Sequence, residues 1–534
     1  MTRSSSLNAR RRARELAELA DHPRIDVLVV GGGITGAGVA LDAASRGLSV
    51  VLAERHDLAY GTSRWSSKLV HGGLRYLARG ELGIAYESAA ERGLIMARLA
   101  PHLTRALPMV LPWLLRQRRD EGPGRHLATA GLIAGDVLRR VAWTGRDALP
   151  RCRRLTRAEV LAEVPALRRD VTGGLLGWEG QLTDDARLVV TVARTAAGHG
   201  ARILTRCEAS QLTSSGAVLT DRLTGQSFDV RAGAVINASG VWAGQLVPGV
   251  ELRPSRGTHL VLPDELFGGL RAGIVVPVPG ERARSVFALP VPGERRVYAG
   301  LTDEPVTGSP PGVPEPSEAE IAFLLDVLGR VLEIPASGGD VLGAFAGLRP
   351  LLAGPHGSSA DLSRRHAILT SPDGVITVVG GKLTTYRRMA QDAVDAALRS
   401  PPLAAGGRPA RPCRTRQLPL AGAASQHALA RVAAPRRLVA RYGTEAPAIA
   451  ALGKENPALT KPVADGIPVT GAEIAFALLH EGALSEDDVL DRRTRIGLVP
   501  ADRQRALPAV RRLLDQLPAP SRPEQARAPQ QTPG

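Results

Sequence analysis

The sequence predicts an α/β (α+β) fold: a Rossmann-like nucleotide-binding domain, interrupted by a β-rich substrate domain and followed by a C-terminal helical domain. Three observations carry that prediction. An apolar, mostly β-branched run at 25–30 leads directly into Gly31-Gly32-Gly33-Ile34-Thr35-Gly36 and a helix of small residues. Strand and helix segments of the same kind recur at 185–205, 234–240 and 374–398, with long insertions between them. A chain of 534 residues also exceeds what one hydrophobic core usually serves.

Residues 1–23 are basic (Arg10, Arg11, Arg12, Arg14), lack the apolar centre of a signal peptide, and read as a solvated helical arm. The first strand ends in Gly31-x-Gly33-x-x-Gly36. The first glycine allows a tight turn, the second lets the backbone approach a pyrophosphate, and the third lets helix and strand pack closely. The helix that follows starts with free N–H groups and a positive dipole end, and Gly47 caps it. A second strand at 48–53 ends at Glu54, whose carboxylate can accept both hydroxyls of an adenosine ribose. An acid there repels a 2′-phosphate and so argues against NADP; FAD and NAD both fit these residues.

Residues 61–77 are polar and glycine-rich, too polar for core. Within them Ser66, Ser67 and Lys68 offer donors to a polar ring system, and Gly72-Gly73 permits close backbone contact. A helix at 185–197, a strand at 201–205 and a buried strand at 234–238 running into Ser239-Gly240 continue the pattern. Further on, a strand at 374–379, the turn Gly380-Gly381 and a helix at 383–398 set a lysine, Lys382, at a glycine-rich helix start, suited to the pyrimidine end of a reduced flavin. The expected division is an arm at 1–23; a discontinuous nucleotide-binding domain at 24–100, 185–245 and 340–400; a substrate or cap domain at 101–184 and 246–339; a Pro/Ala/Gly-rich linker at 401–412; a helical domain at 413–517; and a disordered tail at 518–534.

Composition narrows the function. With 44% hydrophobic and 22% charged residues the chain is a packed globular protein. Its three scattered cysteines, Cys152, Cys207 and Cys413, form no C-x-x-C pair, which argues against a disulfide framework or a cysteine-rich metal site and for a reducing, cytoplasmic compartment. No run of eighteen apolar residues occurs, so no membrane span is expected. The net charge of +16 suits anionic small molecules, an anionic membrane surface or nucleic acid, but no aromatic-basic platform or groove-reading helix supports the last. Only four of the 68 basic residues are lysines, and two of them, Lys68 and Lys382, sit inside glycine-rich motifs where a compact ammonium differs from a guanidinium.

The motif from Val30 through Gly31-Gly32-Gly33, Asp42 and Arg46-Gly47 resembles one of the two signatures of the FAD-dependent glycerol-3-phosphate dehydrogenases, and Gly380-Gly381-Lys382 through Ala390 resembles the other. The segments 66–77, 184–188, 237–240, 256–260 and 347–351 are similar to that family as well, and 491–497 resembles its helical end domain. The resemblance implies FAD rather than NAD, and oxidation of sn-glycerol 3-phosphate to dihydroxyacetone phosphate with electrons passed to a quinone. It implies cofactor contacts from Gly31, Gly32, Gly33, Ile34, Thr35, Gly36, Glu54, Arg55, Thr62, Ser63, Ser66, Ser67, Lys68, Leu69, His71, Gly72 and Gly73, and from Ala238, Ser239, Gly240, Gly381, Lys382, Leu383 and Thr384.

On the substrate side, Arg349 and Arg364 match the family's phosphate-binding arginines and Arg75 with Tyr76 its substrate-side pair. His259, whose imidazole ordinarily titrates near neutrality, is the candidate to take the hydroxyl proton; Lys382 and Arg349 complete the catalytic set. An oxidase using oxygen and a non-catalytic flavin module at the membrane surface are the alternatives. A homodimer and a peripheral contact with the cytosolic face of the membrane, through basic residues 116–119 and the C-terminal helices, complete the expectation. Three departures stand out: the bulky pair Arg64-Trp65, Val241 where a proline is common, and Arg365 in place of a usual acid.

Overall fold

The strand Arg24–Val30 sits at the centre of an eight-stranded sheet because its side chains from Val27 to Val30 are at most 5% exposed, with helices or strands covering both faces. It runs parallel to Val50–Glu54 on one side and to Ser227–Asn237 on the other. Arg202–Thr205 extends the sheet beyond Val50–Glu54; Ile376–Gly380 and then His366–Thr370 extend it beyond Ser227–Asn237. The helices Ile34–Ser45, Asp185–Gly198 and Tyr386–Ala397 pack together over one face, within one large apolar core. The computed structural model describes residues 4–73, 80–115, 134–142, 144–145, 148–281, 284–353, 365–400, 403 and 410–516.

A second, ten-stranded sheet follows the order Glu304–Pro305, Ser255–Pro263, Arg296–Gly300, Ser285–Pro290, Gly273–Pro277, Thr104–Leu114, Val171–Leu182, Leu69–Val70. Helices Arg157–Glu163 and Glu318–Gly329 close its far side over a separate core. Two strands expected in the nucleotide-binding part belong to this sheet instead. Gly343–Arg349 pairs antiparallel with Ser255–Pro263, and Leu69–Val70 pairs with Val171–Leu182, so both segments bridge the two units.

The N-terminal segment is helical at Ala9–Asp21 but it is docked, not solvated. Leu19 is fully buried, and Arg12 reaches the carbonyl of Thr205 at 2.6 Å and the carboxylate of Asp221 at 2.5 Å. Only the amphipathic spacing of Arg12, Leu16 and Leu19 signals this, and the arginine density hides it. The C-terminal unit is chiefly helical, built on Arg436–Tyr442, Ala446–Glu455, Gly471–His480 and Pro500–Gln516, with a small hairpin of Pro462–Ala464 and Ile467–Thr470. Most of the linker and the whole expected tail lie outside the described residues. No helix among the described residues is long and apolar enough to cross a membrane.

Candidate active site

A cavity of about 1000 Å³ runs between the two sheets, from the glycine turn at Gly31 to the wall carrying His259 and Arg349. Its dinucleotide end is shaped by what the glycines exclude. A Cβ on Gly36 would lie 1.9 Å from the carbonyl oxygen of Gly31, so this glycine serves helix-to-strand packing and does not line the cavity. Gly31 holds φ +111, where L side chains are strained, and a Cβ there would meet Ala238 O at 2.7 Å. At Gly33 a Cβ would meet only Ser63 Oγ, at 3.2 Å; open space toward the cavity accounts for that glycine. Gly33 is also the N-cap of Ile34–Ser45 and caps it with no side chain, leaving the helix dipole directed at the space a pyrophosphate would fill.

Glu54 lies at the end of its strand, 9% exposed, and accepts hydrogen bonds from the backbone N–H of Gly32 at 2.6 Å and of His56 at 2.7 Å. Burial pushes its carboxyl pKa up; the two N–H donors oppose the shift. His56 and Tyr60 stack at 4.0 Å on the same wall, and burial with nearby arginines pushes the His56 imidazole down to about 4, so this wall is neutral and flat. An open dinucleotide turn, a helix start whose N-cap is a glycine and whose first N–H meets Ser63 Oγ at 2.9 Å, and an acid at the strand end fit FAD.

The opposite end is built on the segment Ser66–Lys68. Asp185, fully buried at the start of its helix, accepts from Ser66 N at 2.9 Å, Ser66 Oγ at 2.7 Å and Lys68 Nζ at 3.1 Å. Lys68, with φ +55, therefore turns its ammonium away from the cavity, over the rings of Phe345 at 4.7 Å and Tyr298 at 5.3 Å. This corrects the expectation that its side chain donates to the flavin ring. Ser67 is left facing the cavity, with Oγ 2.9 Å from His259 Nε2.

His259 is stacked on Phe345 at 4.9 Å and 8°, and its other ring nitrogen, Nδ1, is buried with no hydrogen-bond partner among the described residues. A Cβ on Gly300 would lie 2.4 Å from His259 Cδ2, so Gly300 makes room for the ring. Burial, then the charges of Lys68 and Arg349, push the imidazole pKa down to about 3. The expected near-neutral titration is thereby corrected: His259 is neutral throughout the physiological range. Arg349 is held in place by Ser255 Oγ at 3.2 Å, Asp303 Oδ1 at 3.1 Å and Thr302 O at 3.1 Å. Behind it, Glu320 accepts from Thr258 and Thr302 at 2.9 and 2.7 Å and pairs with Arg256 at 2.8 Å, fixing the strand and loop that hold the guanidinium. Lys382 Nζ donates to Ser88 Oγ at 3.0 Å on the cavity wall.

The structure thus gathers on one cavity Gly31, Gly32, Gly33, Ile34, Thr35, Glu54, Arg55, Thr62, Ser63, Ser66, Ser67, Leu69, His71, Gly73, Ala238, Ser239, Gly240, His259, Arg349, Gly381, Lys382, Leu383 and Thr384. Gly36, Lys68 and Gly72 stand behind it; Gly72 makes room for the Arg92 guanidinium, which a Cβ would approach to 2.1 Å. Arg75, Tyr76 and Arg364 lie outside the described residues. Sequence reading missed Asp185, Phe345, Thr302, Asp303 and Trp65, which orient the predicted residues or line the cavity, and an apolar stretch of wall from Met109, Leu111, Leu175, Val275 and Phe287. Of these Asp185 carried a signal as the first helical residue of an Asp-Asp pair, and Trp65 as a bulky residue within a polar, glycine-rich segment.

Residues 26–387 match the family described as FAD dependent oxidoreductase, and residues 413–518 match the C-terminal domain of alpha-glycerophosphate oxidase. Glycerol-3-phosphate dehydrogenase 1 of Mycobacterium tuberculosis is 53% identical over 523 residues, covering 96% of this chain and 99% of the relative. The chain belongs to the FAD-dependent glycerol-3-phosphate dehydrogenases. A mitochondrial glycerol-3-phosphate dehydrogenase of Arabidopsis thaliana is a more distant relative in this family, 34% identical over 91% of this chain and 81% of its own. Among solved structures, the glycerol-3-phosphate dehydrogenase from Bacillus halodurans complexed with FAD superposes with a TM-score of 0.71 at 26% identity, covering 95% of this chain and 94% of that one. FAD is the cofactor of this dehydrogenase, and the fold is mixed α/β with a helical C-terminal domain.

Proposed function

We propose that this protein oxidises sn-glycerol 3-phosphate to dihydroxyacetone phosphate and passes the electrons on to a quinone. The observation that carries the reading is the continuity of one cavity from the dinucleotide cradle to a wall bearing a held guanidinium, Arg349, and a neutral imidazole, His259. Bound FAD supplies the two-electron acceptor for the hydride that leaves C2 of the substrate. Arg349, clamped by Ser255, Asp303 and Thr302, binds the phosphate and fixes the register of the three-carbon chain. His259 accepts the C2 hydroxyl proton: the ring is uncharged, and Ser67 and Phe345 fix its position. Burial is the main cause of the imidazole's low proton affinity, and a dianionic substrate offsets the smaller part that comes from the charges of Lys68 and Arg349, so the base strengthens as substrate arrives. Lys382, which lines the same cavity, supplies a cation to stabilise the developing oxyanion.

The quinone assignment draws support from the apolar wall at Met109, Leu111, Leu175, Val275 and Phe287, which suits a flat hydrophobic acceptor. A quinone dissolves in the bilayer, so the protein works at the cytosolic membrane surface; the exposed apolar side chains Leu115, Val137 and Val141 support a peripheral contact. The test is the acceptor dependence of glycerol 3-phosphate turnover. Fast reduction of a soluble quinone with little hydrogen peroxide is expected, and association with anionic vesicles that salt reverses. Stoichiometric peroxide without gain from quinone identifies an oxidase instead.

A further inference from the structure

The arginine-rich segment of the C-terminal domain lies against both loops that shape the cofactor cavity. Arg492 Nε donates to Asp57 Oδ2 at 2.7 Å, and Arg493 grips the same carboxylate through Nη1 at 2.8 Å and Nη2 at 2.9 Å. Asp57 and Arg493 are both fully buried, and Asp57 follows directly on Glu54, Arg55 and His56, which line the dinucleotide end. Arg495 reaches the second loop. Its Nη2 donates to the carbonyl of Arg64 at 2.5 Å, its guanidinium stands 5.2 Å over the ring of Trp65, and it lies 3.9 Å from Asp185, the carboxylate that receives Ser66 and Lys68. Arg495 holds φ +64, a left-handed conformation uncommon for a non-glycine residue, at the turn that delivers this side chain.

Among the described residues none that lines the cavity comes from beyond Met389, so this domain acts on the cofactor indirectly, and these two loops are its polar route to the cavity. Buried ion pairs add little net stability, because desolvation nearly cancels the attraction. Three arginines spent on two cavity loops are better accounted for by the geometry they impose. We infer that Arg492, Arg493 and Arg495 make the C-terminal domain a clamp on the cofactor cavity: they are positioning residues, acting through Asp57 on one loop and through Arg64 and Asp185 on the other, so that FAD binding and docking of the domain reinforce each other. Linkage makes the effect reciprocal: whatever the docked domain adds to FAD affinity, bound FAD adds to docking. The inference rests on FAD as cofactor and not on the substrate or the acceptor.

The test uses the full-length apoprotein and FAD alone. Asp57→Asn and Arg495→Gln should each weaken FAD binding by about tenfold or more, read by fluorescence titration. Ile449→Ala, a cavity in a separate cluster of the C-terminal core, should leave affinity within about twofold, because it loosens the domain without touching the clamp. In the wild type, FAD should slow backbone hydrogen exchange across residues 471–498. The proposal is overturned if both clamp variants bind FAD like the wild type, if Ile449→Ala weakens binding as much as they do, or if exchange at 471–498 ignores FAD. Should a clamp variant fail to fold, the wild-type exchange measurement decides alone.

Discussion

Arg349→Met removes the guanidinium assigned to the substrate phosphate while leaving most of the side-chain volume. Three acceptors hold this group at 3.1–3.2 Å, and its side chain is 22% exposed on the cavity wall. A hydrogen bond to a charged group contributes about 1.5–3 kcal/mol, and partial access to water puts this contact in the lower half of that range. A loss of about 1.5–2 kcal/mol corresponds to about 10- to 30-fold in kcat/KM for glycerol 3-phosphate. Arg349→Lys keeps the charge but not the planar fork and should fall between the two. The assay is anaerobic rapid mixing, following flavin reduction over a range of substrate concentrations. Flavin content should stay normal, because the neighbouring contact from Thr62 Oγ1 to Leu348 O uses the backbone. A kcat/KM within about twofold of wild type, or an equal loss with glycerol, would refute the phosphate assignment.

Other outcomes follow from the same geometry. Gly36→Val should give colourless protein, since even its Cβ would sit 1.9 Å from Gly31 O; a variant with full flavin absorbance contradicts the cradle. Burial holds His259 near 3 when folded, against about 6.5 unfolded, so the unfolded chain binds the extra proton and stability falls as pH drops through 6.5. His259→Gln should therefore lose about 2 kcal/mol less than wild type between pH 7 and pH 5 in urea denaturation, and equal losses would show that the imidazole is charged in the fold. Lys68→Met removes a cation that lowers the His259 pKa, so the acid limb of the flavin-reduction rate should move to higher pH; an unmoved limb contradicts the electrostatic link.

The dinucleotide half of the molecule was legible because its signals are local. A strand, three spaced glycines and a terminal acid lie within thirty-odd residues, and each has one steric or electrostatic reason to be there. The sheet assignment of Gly343–Arg349 was not legible: its partner lies some ninety positions earlier, and a short apolar run does not say which sheet it joins. Lys68 misled for a related reason. Its place among donors suggested a ligand contact, but the carboxylate that claims it, Asp185, comes from a helix more than a hundred residues on. The neutrality of His259 likewise depends on burial beneath Phe345 and on distant cations, neither of which a sequence pattern displays. The docked N-terminal helix was hidden by composition, since an arginine bonding a carbonyl and a carboxylate in the interior looks, as sequence, like any solvated arginine.

The central claim, that a held guanidinium and a neutral imidazole beside bound FAD select and oxidise a phosphorylated secondary alcohol, is tested most directly by anaerobic titration of the purified flavoprotein. The account predicts that sn-glycerol 3-phosphate bleaches the flavin at one equivalent and yields dihydroxyacetone phosphate, while glycerol at the same concentration leaves it oxidised. A flavin that stays oxidised with glycerol 3-phosphate, or that glycerol reduces as readily, would contradict it.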